Sequence, residues 1–314
     1  MKAIVYNKKH LPYQLEYCDV AKPTASDNEV FIKIVSASIN AADYRSMKMG
    51  SIPKTKIFGA AVTGIVEAVG GNIQQFKIGD EVIGDLSDFG FGGFAEYAVA
   101  PEKALVIKPS NLSFDEAAAL PVAATTALKA LRDKGSIQRN QQVLIVGGAG
   151  GVGTFAVQLA KYYGAKVTAV CSSGTVEQTK SIGADAIIDY TKEDFTKSKK
   201  RYDLVVAING NYSLFAYKRI LTPNGMYVMV GGALSQIFKS ILFGWILSLG
   251  AKKLRFLSAK SDPKDLDFVS KLLAYGKIKS VIESRHSLEQ VPKAMHYVSQ
   301  GHATGKAVIN VAKP

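Results

Sequence analysis

The chain has 314 residues, 47% of them hydrophobic and 21% charged, and a formal net charge of +13. This length and composition predict a soluble globular protein of two domains. Its two cysteines, Cys18 and Cys171, are too few for a disulfide framework or a thiolate metal site. The sequence shows no export signal and no run of roughly 20 apolar residues, so the cytoplasm is the expected location.

From the N-terminus to about Ile107, short alternating runs separated by turn residues predict strands. Examples are Ala3–Tyr6, Glu29–Val35 and Gly64–Val69, with Gly70 and Gly71 as one of the turns. The regular spacing of these turns favours a partly closed β-barrel.

The pattern changes at Ser113, which forms a capping box with Glu116 and begins an alanine-rich helix. Pro121 lies inside that helix and is expected to kink it. Strands then alternate with helices, which predicts a doubly wound parallel sheet. The predicted strands are Val143–Val146, Lys166–Val170, Ala186–Asp189 and Leu204–Ala207, and the predicted helices are Thr154–Tyr163 and Val176–Ile182. Two further helices, Asp265–Tyr275 and Leu288–Ser299, precede a last strand, Ala307–Val311, which is expected to return to the first domain.

A glycine-rich turn directly follows the first strand of that series. Gly148, Gly150 and Gly153 have the spacing G-x-G-x-x-G, between a strand and a helix. The three glycines permit a tight turn, close approach of a pyrophosphate and close packing of the helix on the strand. The N–H groups at the helix N-terminus then attract the phosphates. This context favours a dinucleotide site over a purely structural turn.

The residues after the second strand indicate which dinucleotide binds. NAD sites place Asp or Glu there, about 20 residues past the glycine turn, to accept hydrogen bonds from ribose hydroxyls. This chain has Cys171, Ser172 and Ser173 instead. A carboxylate would repel a 2′-phosphate, whereas hydroxyls can donate to one, so NADPH is favoured. The serines can also be read as ordinary turn residues, and Tyr190 is expected to reach the same pocket.

The first domain offers few groups for catalysis. The four histidines are His10, His286, His296 and His302. They show no ligand spacing, so no metal is expected, and no nucleophile elbow supports Ser-His-Asp catalysis. The remaining polar cluster runs from Asn40 to Arg45. Asn40 can be read as a turn residue that bonds its own backbone.

The chain resembles the medium-chain dehydrogenase/reductase superfamily, in its zinc-independent quinone oxidoreductase-like branch. The likeness rests on SINAADYRSMKMG, FGAAVTGIVEAVG, FKIGDEVIG, GGFAEYAV, AAALPVAATTAL, VGGAGGVGTFAVQLAK, SIGADAIIDY and GHATGKAVI, which span essentially the whole length. The last segment is similar to that of chloroplast-envelope quinone oxidoreductase homologues. Zinc-dependent members have a cysteine ligand near the position of Asn40 and Gly-His-Glu at the position of Gly59–Ala61.

The resemblance implies a GroES-like barrel domain made of residues 1–112 and 258–314 and a Rossmann domain at 113–257, with the cofactor in the cleft between them. Asn40 and Tyr44 are the catalytic candidates it suggests, near the nicotinamide and at the pocket entrance. Thr126 is expected to touch the nicotinamide amide. The other candidate cofactor-binding residues are Gly148, Gly150, Gly151, Val152, Gly153, Ser172, Ser173, Tyr190 and Gly231.

These features predict hydride transfer from NADPH to a quinone or to the β-carbon of an enone or enal. The developing oxyanion would be stabilised by the Asn40 amide, backbone N–H groups or cofactor hydroxyls, and the proton would come from Tyr44 or water. The resemblance implies a homodimer, and no nucleic-acid partner is expected. Two alternatives stay open: an NADPH-binding protein with a nucleic-acid or membrane-surface role, and an alcohol dehydrogenase-like enzyme.

Two features leave room for the membrane-surface alternative. The positive charge would suit nucleic acid, anionic lipid or a phosphate-bearing cofactor, although the dispersed lysines favour a merely solvated surface. The second feature is the apolar segment Ser235–Gly250. It is expected to cap the substrate pocket or to join a subunit interface; alternatively, it forms a buried helix or contacts an anionic membrane.

Overall fold

The computed structural model describes residues 1–210, 212–231 and 250–312, which divide into two compact units. Unit 1 comprises Met1–Thr125, Lys260–Gly276 and Ser280–Pro314, and unit 2 comprises Thr126–Ala259 and Lys277–Lys279. This division differs from the expected boundary at residue 113, because residues 113–125 lie with unit 1. The apolar segment expected to form a cap, a buried helix or a membrane contact lies outside the described residues, except for Gly250.

The strands in chain order are β1 (Lys2–Tyr6), β2 (Leu15–Asp19), β3 (Glu29–Ser38), β4 (Ala61–Val69), β5 (Glu81–Asp85), β6 (Tyr97–Pro101), β7 (Leu105–Ile107), β8 (Gln142–Val146), β9 (Lys166–Cys171), β10 (Ala186–Asp189), β11 (Tyr202–Ala207), β12 (Leu221–Met229), β13 (Lys253–Phe256), β14 (Ile282–Ser287) and β15 (Lys306–Asn310). The helices are α1 (Ala41–Lys48), α2 (Phe114–Ala118), α3 (Ala123–Lys129), α4 (Gly151–Tyr162), α5 (Val176–Ser181), α6 (Leu214–Arg219), α7 (Pro263–Ala274) and α8 (Val291–Ser299). A π-helical turn, Ala130–Lys134, continues α3, and single 3-10 turns occur at Glu102–Ala104, Ser173–Thr175, Phe195–Lys197 and Leu288–Gln290.

Unit 1 contains a seven-stranded sheet in the order β14-β15-β3-β4-β5-β7, with β6 also paired to β3, and a separate β1-β2 pair. Residues alternate along the first half of β3, so that Val30, Ile32 and Ile34 enter the core while Glu29, Phe31 and Lys33 are partly exposed. The C-terminal strand β15 pairs antiparallel with β3. The expected return of the chain to the first domain is therefore confirmed.

Unit 2 contains six parallel strands in the order β10-β9-β8-β11-β12-β13. Counted from β8, this is the order 3-2-1-4-5-6 of a doubly wound dinucleotide-binding sheet. The predicted doubly wound sheet is confirmed. Ligands of such sheets bind beyond the carboxyl ends of the strands where the order reverses, which here is between β8 and β11.

The alanine-rich stretch after Ser113 forms two helices instead of one kinked helix. The capping box is confirmed: Ser113 Oγ accepts from the Glu116 N–H at 3.2 Å, and the Glu116 carboxylate accepts from the Ser113 N–H at 3.1 Å. Helix α2 ends at Ala118 and α3 begins at Ala123. Pro121 lies between them because it lacks the N–H that a continuous helix requires and disfavours helical geometry in the preceding residue.

No helix in the described part of the chain is long and apolar enough to span a membrane.

Candidate active site

The glycine turn of unit 2 is packed so tightly that side chains are excluded. Gly147, one residue before the motif counted in the sequence, has φ of +87°, where residues with a Cβ are strained. The N–H groups of Gly147 and Gly148 both donate to the carbonyl of Val170, at 3.1 and 3.0 Å. A Cβ on Gly153 would lie 2.0 Å from the carbonyl oxygen of Gly147, and one on Gly148 would lie 2.9 Å from Ala169 Cβ. These glycines are therefore required by the turn itself.

The same turn presents unused backbone donors at the start of α4. Gly150 is the N-cap and has no side chain to cap the helix, and the first intrahelical bond runs from the Thr154 N–H to its carbonyl at 2.9 Å. The amides of Gly151, Val152 and Gly153 come before that bond, so they are the donors that a helix N-terminus offers to an anion. The turn lies at the end of β8, beside the reversal of strand order. It fits the pyrophosphate of a dinucleotide.

Asn209 follows β11 and Gly231 follows β12, so both lie at the carboxyl ends of strands near the reversal of strand order. Asn209 donates its N–H to the Val146 carbonyl at 3.4 Å, and its Cβ lies 3.3 Å from the position of a Cβ on Gly147. Gly231 is buried and donates to the Ala207 carbonyl at 3.4 Å. Gly231 was predicted from the sequence, and Asn209 was not. Its signal was the turn dipeptide Asn209–Gly210 directly after a predicted strand.

The hydroxyl-rich turn after β9 meets an acidic residue of the neighbouring strand. Asp189 ends β10 and is in register with Cys171, at the end of β9. The Ser173 hydroxyl donates to the Asp189 carboxylate and lies 3.0 Å from Thr191 Oγ1. Ser172 lies 3.4 Å from the hydroxyl of Thr175. The sequence analysis missed Asp189, whose signal was its place at the end of a predicted strand.

Tyr190 follows directly and is 50% exposed, with its N–H bonded to the Cys171 carbonyl at 3.1 Å. The structure thus places Ser173 and Tyr190 at the adjacent carboxyl ends of β9 and β10. Thr126 lies in α3, where it is half-buried and next to Thr125, whose hydroxyl donates to the Pro121 carbonyl at 2.5 Å.

In unit 1, Asn40 belongs to a buried polar cluster with Asp43 and Lys306. Asn40 is only 5% exposed, and its Nδ2 donates to the Ser38 carbonyl at 2.8 Å. The buried Lys306 ammonium donates to Asn40 Oδ1 at 2.5 Å and to the Ile39 carbonyl at 2.9 Å. The amide of Asn40 is therefore oriented by two elements that are far apart in the chain.

Asp43 accepts three backbone hydrogen bonds in this cluster. One carboxylate oxygen accepts from the Asn40 N–H at 2.7 Å, and the other accepts from Gly59 and Ala60 at 3.1 and 3.0 Å. Burial raises the pKa of Asp43, while these N–H groups and the Lys306 charge counteract that shift. Burial lowers the pKa of Lys306, and the charge of Asp43 opposes this decrease. Gly59 and Ala60, which stand where zinc-dependent relatives are expected to have the Gly-His of Gly-His-Glu, thus bind a carboxylate through their backbone.

Tyr44 lies on α1 and packs against the barrel core. It borders a cavity of about 190 Å³ within unit 1, together with Tyr13, Met47 and His296. Burial is the largest cause that raises the pKa of Tyr44, so its hydroxyl keeps its proton at neutral pH. At neutral pH the side chain is therefore a hydrogen-bond donor.

No group of three or more His, Cys, Asp or Glu side chains within the described ranges could hold a metal ion. Of the histidines, His286 bonds Ser284 through Nε2 at 2.9 Å, and the ring of His296 lies 5.3 Å from that of Tyr13. The donors at the glycine turn and at the turn after β9 are backbone amides and hydroxyls, while the Lys306 ammonium is already bound to Asn40 and Ile39. This set suits an anionic organic cofactor better than a metal.

Comparison with known proteins gives two family models. Residues 26–110 match the alcohol dehydrogenase GroES-like domain, and residues 182–309 match the zinc-binding dehydrogenase. The chain is 34% identical to the chloroplast envelope quinone oxidoreductase homolog of Arabidopsis thaliana, over 94% of this chain and 93% of that one. It is 32% identical to the NADPH-dependent alkenal/one oxidoreductase of the same plant, over 93% and 74% of the two chains.

Among solved structures, the quinone oxidoreductase from Coxiella burnetii superimposes with a TM-score of 0.89 at 28% identity, over 99% of each chain. The similarity therefore extends over both units and is not limited to the glycine motif.

Proposed function

This chain belongs to the medium-chain dehydrogenase/reductase superfamily, in its quinone oxidoreductase-like branch, and on that premise we propose that it is an NADPH-dependent reductase of quinones and α,β-unsaturated carbonyl compounds. The names of the plant relatives and of the Coxiella protein support this substrate class. The observation that carries the proposal is the glycine turn, whose crowding excludes side chains and whose helix N-terminus presents free amides at the reversal of strand order.

NADPH, when bound, supplies a hydride for a quinone or for the β-carbon of an enone or enal. The amides of Gly151, Val152 and Gly153 would hold its pyrophosphate, since they are unpaired donors at the positive end of α4. The hydroxyls near the end of β9 would face the adenosine ribose, as their distance along the chain from the glycine turn indicates.

Asn40 and Tyr44 are the proposed catalytic residues. One Nδ2 hydrogen of Asn40 is bound to the Ser38 carbonyl, and the other faces Ser38 Oγ at 3.5 Å, a distance too long for a strong bond. A substrate oxygen would therefore compete only for this second hydrogen, while Lys306 holds the other side of the amide. Tyr44, protonated at neutral pH, is a donor in the correct state, and water is the alternative proton source.

The test is a substrate panel with the purified full-length protein. NADPH and NADH oxidation are followed by nicotinamide absorbance with quinones, enals, enones and, as the matched control, saturated aldehydes and ketones. We expect turnover with NADPH and with acceptors that carry a conjugated double bond or a quinone ring. Turnover of the saturated compounds alone would favour the alcohol dehydrogenase-like alternative, and no turnover with any acceptor would overturn the proposal.

We also propose that the enzyme acts as a cytoplasmic homodimer. Both cysteines lack a disulfide, which suits a reducing compartment. Strands β10 and β13 are the two edge strands described for the unit 2 sheet, and a partner sheet could pair with β13. A sedimentation-equilibrium mass equal to one 33.7 kDa chain would refute the dimer. Fluorescence microscopy of a tagged chain tests the location, and signal confined to an organelle or membrane would contradict the cytoplasmic proposal.

A further inference from the structure

A carboxylate lies beside the turn that was expected to recognise the 2′-phosphate of NADPH. Ser173 stands 20 residues after Gly153, which is the spacing at which NAD sites have their acidic residue. The position itself carries a hydroxyl, but that hydroxyl donates to Asp189 on the neighbouring strand. Parallel pairing of β9 with β10 causes the contact, because it puts the two carboxyl ends side by side. The acidic group missing from β9 is thus supplied by β10.

Asp189 engages the donors of this region. Besides the Ser173 hydroxyl, it accepts from the Thr191 hydroxyl at 2.6 Å and the Thr191 N–H at 3.0 Å. The hydrogen bond from Ser173 is the largest cause that lowers the pKa of Asp189 to about 2, and the bonds from Thr191 add to it. The carboxylate is therefore charged at neutral pH. Lys192 lies 3.4 Å from the same carboxylate and is largely exposed, so it compensates only part of the charge.

We infer that Asp189 is a specificity-determining residue, which lowers the preference of this enzyme for NADPH over NADH. The carboxylate occupies the hydroxyls that would otherwise donate to a 2′-phosphate, and it places a negative charge next to that group. A ribose 2′-hydroxyl, in contrast, can donate to a carboxylate, so the same residue favours NADH. The inference rests on the proposed function, because it concerns the cofactor of that same site.

Replacement of Asp189 should shift the ratio of the two affinities. In Asp189→Asn, the charge is removed while the shape is kept, and the Ser173 hydroxyl has only a neutral amide oxygen as its partner, so a phosphate competes for it more easily. Solvent and salt screen the repulsion between two exposed charges a few ångströms apart, so its effect on affinity is modest. We expect NADPH to bind about 3- to 10-fold more tightly and NADH to bind equally or more weakly.

The experiment is isothermal titration of the full-length protein with NADPH, NADH, 2′,5′-ADP and 5′-AMP, at pH 6 and pH 8. The two fragments isolate the adenosine end, so the readout does not depend on turnover. Asp194→Asn is the matched control: its carboxylate also accepts from a nearby threonine, Thr196, and the charge change is the same. The control should leave the NADPH to NADH ratio unchanged.

Three outcomes decide the inference. If NADPH and NADH bind but Asp189→Asn leaves their ratio unchanged or shifts it toward NADH, the inference is overturned while the proposed function stands. If none of the four ligands binds the wild type, the proposed function fails and the inference fails with it. Ser173→Ala provides a second measurement. Made alone, it should weaken NADPH binding less than twofold; added to Asp189→Asn, it should weaken binding about fivefold relative to Asp189→Asn. A tenfold loss in the wild type would show that the Ser173 hydroxyl already serves the phosphate.

Discussion

Removal of the Asp43 charge is expected to destabilise unit 1 severely. In Asp43→Asn the shape is kept, but an NH₂ group replaces one carboxylate oxygen and faces backbone N–H donors that now lack an acceptor. The Lys306 ammonium, 3% exposed, also loses its opposite charge. Removing one partner of a buried charge pair costs about 3–5 kcal/mol, and we expect the free energy of unfolding to fall by that amount.

A double-mutant cycle separates the charge pair from simple loss of packing. Lys306→Met removes the ammonium and its bonds to Asn40 and Ile39, and it should cost about 3–5 kcal/mol alone. In the double variant neither charge is left buried without the other, so its loss should be smaller than the sum of the two single losses by about 1–3 kcal/mol.

The assay is urea unfolding at pH 7, followed by far-UV circular dichroism and extrapolated to water. Asp267→Asn is the control, because Asp267 forms a pair of 2.6 Å with Lys271 that is exposed on both sides and should cost under about 0.5 kcal/mol. If Asp43→Asn lies within about 1 kcal/mol of the wild type, the reasoning is wrong. Additive single losses, within about 0.5 kcal/mol, would show that the two charges do not compensate each other.

Two further substitutions test the packing of unit 2. Gly153→Ala, whose Cβ would meet the Gly147 carbonyl at 2.0 Å, should weaken NADPH binding at least about tenfold by titration. Its control, Gly71→Ala in an exposed turn of unit 1 with nothing within 4 Å, should change neither binding nor the unfolding midpoint. Tyr227→Phe should leave stability unchanged or raise it by up to about 1 kcal/mol in urea unfolding, since the buried Tyr227 hydroxyl has no partner among the described residues; a loss of more than about 1 kcal/mol would reveal one.

The elements that were predicted well are those set by local patterns. Strand β10 has the predicted bounds, and β15 differs from its prediction by one residue at each end, because alternation and turn residues act within a few positions. The glycine turn was also predicted, since its spacing and its flanking strand and helix are adjacent in sequence. The predicted kink at Pro121 is instead a break between two helices, because the proline both removes a donor and disfavours helical geometry before it.

The contacts that matter for the site were not predictable in the same way. Lys306 reaches Asn40 across 266 residues, and nothing near either residue in the chain indicates that a buried ammonium needs this carbonyl oxygen. The positions of Asn40 and Tyr44 were recognised through family likeness, but their hydrogen bonds were not. Tyr44 borders a cavity with Tyr13 and His296, which lie in segments with no shared motif.

The sequence by itself determines that a dinucleotide turn follows β8 and that the chain returns to its first domain, because these features depend on glycine spacing and on the alternation of apolar residues. Only the tertiary structure decides the electrostatics at the cofactor end. The turn after β9 contains hydroxyls and no acid, yet the order of strands in the sheet brings Asp189 of β10 to Ser173. A charge acts through space and not along the chain, so the group that sets cofactor preference is found from strand order and register.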